Sequence, residues 1–369
     1  MRKIGFLLIA SLIVSLVIVG CTQPASTPTT PAQQPAPSSG QTDVIELKLA
    51  HSVPPVTASH KDIIVPWTKI IEERTAAIGK PVKIKIFPGG ALAKIPEQYD
   101  IIPKGITDIG MWTPHILIGK FPLNDVTQLP FLYPSATVAA QVFKELLDTQ
   151  PAFKEEYAET KVLYFCPTPP STLIGSKTRH IKTLDDFKGM KMVANAKMEA
   201  DAIKTLGAVP VVLPITGTYV ALERGTADSV AKNWDGFFAF KFYEVSKYRT
   251  IIPKGINVSP LLISMNWDSW NKLPPEVQEV FEEVNKTYSK TSGEVFDATT
   301  TKCHGIISEY DKKANNPAYH TVSDADFESW IEAVTPMYEK WISDTEAKGK
   351  PAKAIFDTAL ELVEKYSKQ

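Results

Sequence analysis

The sequence predicts an α/β protein built as two lobes on a hinge. Three observations carry that prediction. Strand-like and helix-like segments alternate from Glu46 to Trp112 and again from Lys161 to Lys232, the pattern of packed α/β layers. A stiff Pro167-Thr168-Pro169-Pro170 segment separates the two stretches. Long helical runs, including Pro275 to Asp311 and Asp324 to Glu346, fill most of the remaining chain.

Each element has a local cause. Arg2 and Lys3 precede an apolar run from Ile4 to Val19, too short and wrongly flanked for a membrane span and typical of a secretory signal. The run closes on Ile18-Val19-Gly20-Cys21, small residues before a cysteine, as lipoprotein processing requires; residues 1–20 are expected to be removed and Cys21 acylated. An ordinary signal with an incidental cysteine is the alternative. Residues 21–41 are rich in Pro, Ser, Thr, Gln and Ala without charge, so they cannot bury enough surface to offset ordering and are expected to be a tether. Two acyl chains would hold such a tether firmly to a membrane.

Glu46–His51 alternates as a strand and stops at Pro54-Pro55. Ser59–Ala77 carries Ile63, Ile64, Trp67, Ile70 and Ile71 at helical spacing. Val82–Phe87 (VKIKIF) is a strand closed by Pro88-Gly89-Gly90; a helix is expected around Glu97–Pro103, then a strand at Asp108–Trp112. Strict alternation here argues for a parallel sheet. In the second stretch, strands are expected at Lys161–Cys166, Leu173–Gly175, Met190–Val193, Val209–Leu213 and Asp228–Lys232. Helical segments at Leu184–Lys188, Lys197–Leu206 and Tyr219–Arg224 separate them. The apolar run Val258–Met265 can return to the first sheet. The lobes are therefore expected at 42–166 plus 257–298 and at 167–256 plus 299–369.

Composition removes several classes of function. A net charge of −1 gives no footprint for nucleic acid or a polybasic membrane patch. Beyond Cys21 only Cys166 and Cys303 remain, and two separate buried thiols are the expectation rather than a bridge. The six histidines are scattered and no CxxC or HExxH occurs, so no metal or other cofactor is expected. No nucleophile–base spacing, paired-carboxylate arrangement or phosphate loop stands out, so no catalytic residue is assigned.

A resemblance sharpens this. The segments LKLAHSVPPVTASH (47–60), FPGGAL (87–92) and GITDIGMW (105–112) resemble the first lobe of the DctP-type solute-binding proteins of TRAP (tripartite ATP-independent periplasmic) transporters. Asp186–Met192, Leu206-Gly207-Ala208 with Val209-Pro210, Tyr219–Asp228 and Lys241–Val245 resemble its second lobe. The likeness implies a class II clamshell like periplasmic binding proteins, with a long helix bracing both lobes. It implies capture of a small organic solute, commonly a carboxylate, and delivery to membrane permease subunits by an exported monomer. Cys21 would then tether the chain to the outer face of the cytoplasmic membrane, or place it in the periplasm.

The chain departs from that family where the solute is gripped. The family usually has an arginine after its K-I, a fork for a carboxylate; here the residue is Val193. A second basic position in some members falls near Leu173, and Lys232 falls near the family's ligand-facing Asn. Lys232 is thus either a relocated partner for a carboxylate or a strand-end lysine reaching solvent. Ligands in such folds sit beyond the carboxyl ends of strands. Those ends nominate His51, Ser52, Trp112, Thr113, Asn195, Lys232, Asn233, Trp234 and Phe237, joined by Leu173, Val193 and Tyr219. Trp112 and Trp234 are expected to flank an apolar or flat solute, with Lys232 and Asn233 on its anionic end. His115 is a further polar group with no specific role. The same clamshell would also serve an ABC importer or a sensor.

Overall fold

Alternation in VKIKIF is realised as read: Val82 and Ile84 face inward while Lys83 and Lys85 face solvent. In this computed structural model, which describes residues 43–369, that strand is β2 (Val82–Phe87) and pairs in parallel with β1 (Ile45–Ala50). The signal, Cys21 and the tether lie outside the described residues. Between the strands the chain passes a short π-helix, Ser59–Ile64, and then α1 (Val65–Ala77).

The first sheet has the order β2-β1-β3-β10-β4, with β3 (Ile109–Trp112), β4 (Lys161–Phe165) and β10 (Leu262–Met265). The second has the order β11-β9-β5-β8-β6-β7. Its strands are β5 (Leu173–Ser176), β6 (Lys191–Ala194), β7 (Val209–Val212), β8 (Ser229–Lys232), β9 (Tyr248–Ile251) and β11 (His320–Thr321). Neither sheet is purely parallel, which for the first is contrary to the expectation from alternation. β10 runs antiparallel to β3 and β4, and β5 runs antiparallel to β8 and β9. The cause is connectivity: β5 and β10 each enter their sheet from the other lobe, at the cleft end, and so run against its parallel strands.

The expected helix near 97–103 is absent; Ile95–Glu97 makes one 3-10 turn, and hydrogen-bonded turns continue to Gly105. Pro103 lacks the amide a helix would need and Gly105 sits at φ +67°. Helices follow at α2 (Ala136–Thr149), α3 (Pro151–Glu155), α4 (Lys197–Thr205), α5 (Thr218–Glu223), α6 (Trp234–Ala239), α7 (Phe242–Val245) and α8 (Trp267–Asn271). Three long ones complete the chain: α9 (Pro275–Lys313), α10 (Asp324–Glu346) and α11 (Ala352–Ser367).

Two helices brace the lobes. Val277, Phe281 and Val284 of α9 join the core under the first sheet, while Cys303 and Ile307 join the core under the second. Along α10, Phe327, Trp330 and Val334 pack on the second lobe and Trp341 on the first. Asp297 of α9 also caps α2, accepting hydrogen bonds from the amides of Ala136 and Thr137, both at 3.0 Å. The C-terminal helix departs from the expected division. α11 packs Ile355, Ala359 and Leu362 into the first lobe's core with Phe143 and Phe165, although 299–369 is expected from sequence in the second. Its apolar stripe names no particular partner, and the helix it packs beside, α2, has no counterpart among the expected elements.

Candidate functional site

The carboxyl ends of β1, β3, β6 and β8 carry His51, Thr113, Asn195 and Lys232. Lys232 is the centre of this group. Its side chain is 10% exposed, and its Nζ lies 2.9 Å from Oε1 of Glu199, which is 0% exposed. The other carboxylate oxygen of Glu199 accepts the Asn195 amide at 2.7 Å. Glu199 sits in the first turn of α4, where exposed helix amides favour a negative charge. The lysine therefore does not reach into solvent. It is held, with its charge compensated.

His115 brings the first lobe to the same point. Its Nδ1 lies 2.7 Å from Thr113 Oγ1. Desolvation first, and then the nearby Lys232 charge, pull its pKa down to about 4, so the ring is neutral at neutral pH. After β1, His51 is fully buried, with Nε2 2.9 Å from Nδ1 of His60. Burial, then His60, hold His51 at about 4 as well, partly offset by the Val53 backbone. Ser52 is half-buried beside it.

Other nominated residues are occupied elsewhere. Asn233 caps α6, its Oδ1 accepting the Gly236 amide at 2.6 Å, and its Nδ2 donates to the Pro169 carbonyl at 3.2 Å. It ties β8 to the crossing segment rather than presenting a free amide. The Trp112 ring is enclosed by Tyr99 and Phe121, with centroids at 4.4 and 5.1 Å, and Nε1 donates to Ser264 at 3.0 Å. Trp234 lies against His304 of α9 at 4.3 Å. The two tryptophans thus belong to different cores, and no aromatic sandwich joins them. Leu173, Val193 and Phe237 are wholly buried in the second lobe's core, where Phe237 fills the space a Cβ on Gly175 would need, 2.3 Å away. Tyr219 donates to Glu244 at 3.2 Å on the outside of that lobe. A strand-end position alone does not say which face a side chain takes; neighbouring helices decide it.

Sequence reasoning missed Glu199. Its signal is present, since a Glu four residues after a strand-ending Asn at a helix start is poised to accept backbone amides. Cys166 and Cys303 are both buried and unpaired, and burial pushes both thiols up. Among the described residues no group of three or more His, Cys, Asp or Glu could hold a metal, and no helix is long and apolar enough to cross a membrane. Two surface hollows, at Lys177 with Glu244 and at Lys80 with Glu279, have charged rims and include none of the strand-end residues.

Known proteins share this architecture. A marine metagenome TRAP solute-binding protein specific for aromatic acid ligands, solved with metahydroxyphenylacetate, superposes with a TM-score of 0.79 at 24% identity, covering 87% of this chain and 99% of that one. A TRAP solute-binding protein from Rhodoferax ferrireducens with copurified benzoate gives 0.78 at 23% identity, covering 88% and 99%. In sequence, the outer membrane transporter protein TsaT of Comamonas testosteroni is 23% identical over 322 residues, 87% of this chain and 92% of that protein. Residues 49–344 match the family described as bacterial extracellular solute-binding protein, family 7, a family of binders rather than enzymes. The chain belongs to that family and is a TRAP solute-binding protein.

Proposed function

We propose that the protein captures a mainly hydrophobic or aromatic carboxylate and delivers it to a TRAP membrane permease. The observation that carries this is Lys232, one ammonium nine-tenths buried at the meeting of the lobes, with no guanidinium at Val193 or Leu173. An ammonium is a compact charge with three donors, one of them spent on Glu199, so two remain for a solute oxygen. His115 offers a further polar contact from the first lobe. The aromatic acid and the benzoate held by the two similar proteins above belong to this class of solute.

Capture works by closing the lobes about 167–170 and 253–260, a hinge motion that brings His115 and Lys232 onto the solute together. Denaturing the purified protein and identifying the released ligand by mass spectrometry tests the assignment. An aromatic or apolar monocarboxylate supports it, and a sugar or an amino acid overturns it. Membrane attachment is proposed to run through Cys21. Cys21→Ala is expected to release the protein from the membrane fraction, and retention after a high-salt wash refutes the anchor.

A further inference from the structure

We propose that Glu199 is a specificity-determining residue: by closing the Lys232 ammonium into an ion pair, it leaves the polar end of the cleft without net charge and so restricts the solute to one carboxylate. The inference rests on the aromatic-carboxylate reading and deepens it.

The charges near Lys232 can be counted. Lys232 contributes one positive charge and Glu199 one negative charge, 2.9 Å apart. Asn195 and Thr113 are uncharged, and His115 is held neutral beside them. Leu173 and Val193 add no cation. Lys61 and Lys197, near His60 and Glu199 in sequence, are exposed and each already paired, with Asp62 and Asp201. A monocarboxylate entering here shares the ammonium with Glu199 through the lysine's remaining N–H donors. A dicarboxylate brings a second charge for which no cation remains. Burying that charge unpaired costs far more than the first contact returns. Glu199 is wholly buried and fixed by the Asn195 amide, so it cannot swing away to make room.

A purely structural Glu199 would support Lys232 and α4 without regard to the charge of the solute. The two roles separate when ligands of equal shape and different charge are compared. Calorimetry on the purified full-length protein would use benzoate, benzamide as its neutral counterpart, and succinate as a small dianion. Glu199→Gln keeps the size of the side chain and leaves Lys232 uncompensated. The expected result is a benzoate-to-benzamide affinity ratio raised about tenfold or more, with succinate binding gained, in a variant whose melting curve shows it folded. Glu199→Asp, which keeps the charge, should retain the unsubstituted ratio. An unchanged ratio in folded Glu199→Gln overturns the proposal. So does tight succinate binding by the unsubstituted protein, a measurement that needs no variant. Failure of the unsubstituted protein to bind benzoate overturns the aromatic-carboxylate reading and this inference with it; binding without a shift in ratio overturns the inference alone.

Discussion

The second lobe contains two buried ion pairs, and they are built differently. Arg249 of β9 is 0% exposed, and its guanidinium donates to Asp311 at 2.9 Å, to the Tyr243 carbonyl at 2.9 Å and to the Ser246 carbonyl. Asp311 also accepts from Asn316 and from Tyr319, each at 2.7 Å. Only the Arg249 Nε is left without a partner. Lys232–Glu199 is sparer: the ammonium donates to Glu199 alone among the described residues, and its end faces the other lobe. A buried pair gains stability only when surrounding hydrogen bonds offset desolvation. The Arg249 pair is saturated but for that one N–H and fastens α9 to the sheet. The Lys232 pair keeps donors in reserve, a poor way to stabilise a fold and a useful way to receive a ligand.

The largest expected effect falls on the saturated pair. Asp311→Ala leaves a guanidinium buried and unpaired, and should lower stability by about 3–5 kcal/mol in urea unfolding while the folded fraction still binds benzoate. Lys232→Ala should act on binding instead, weakening benzoate by about 2–5 kcal/mol with benzamide much less affected. If calorimetry shows equal losses for both ligands, the two pairs are alike and the contrast collapses.

Acid sharpens the contrast further. His51 is fully buried and His115 adjoins Lys232, and each titrates near 4 when folded against about 6.5 when unfolded. Between those values the unfolded chain holds protons that the folded one refuses. Stability contributed by each ring is therefore complete above about 6.5 and is lost as pH falls toward 4, with a slope of at most about 1.4 kcal/mol per pH unit. Glu156 and Asp125, raised by burial to about 7 and 6, work in the opposite sense. The test is thus a difference: His51→Gln should flatten the fall seen in unfolding curves at pH 7, 6 and 5. The smallest expected effect is Tyr319→Phe, which removes one of several bonds to Asp311. It should cost about 1 kcal/mol of stability and leave benzoate affinity unchanged.

Much of the fold is legible in the sequence because its causes are local. Period-two alternation marks β1 and β2, and helical spacing with a Ser323 cap marks α10. β9 and β11 have no counterpart among the expected strands, and β11, with two residues, is too short to show a period. α2 carries a signal that the expected elements above omit, with Ser135 as its cap and Val138, Val142 and Leu146 along one face. The site divides in the same way. Strand ends point to Lys232, Thr113 and His51. The pairings are less legible. Lys232 meets Glu199, 33 residues away, only once α4 has packed beside β8. His115 and His60 lie two and nine residues from Thr113 and His51 but pair with them only through the conformation of the intervening loops.

Pro336 gives the bracing scaffold a mechanical character. It lies inside α10, between the Val334 that packs on one lobe and the Trp341 that packs on the other. Having no amide hydrogen, it leaves the carbonyl of Glu332 without its usual helical partner, and its ring crowds that turn. One backbone hydrogen bond of the helix is missing at that turn. Without such a compliant joint, a rod fixed to both lobes would resist every closing stroke as a strut does. If the lobes close as proposed, α10 can bend at this turn as a leaf spring does. The residence of a solute in a cleft closing in this way would then be set by contacts made there rather than by recoil of the scaffold.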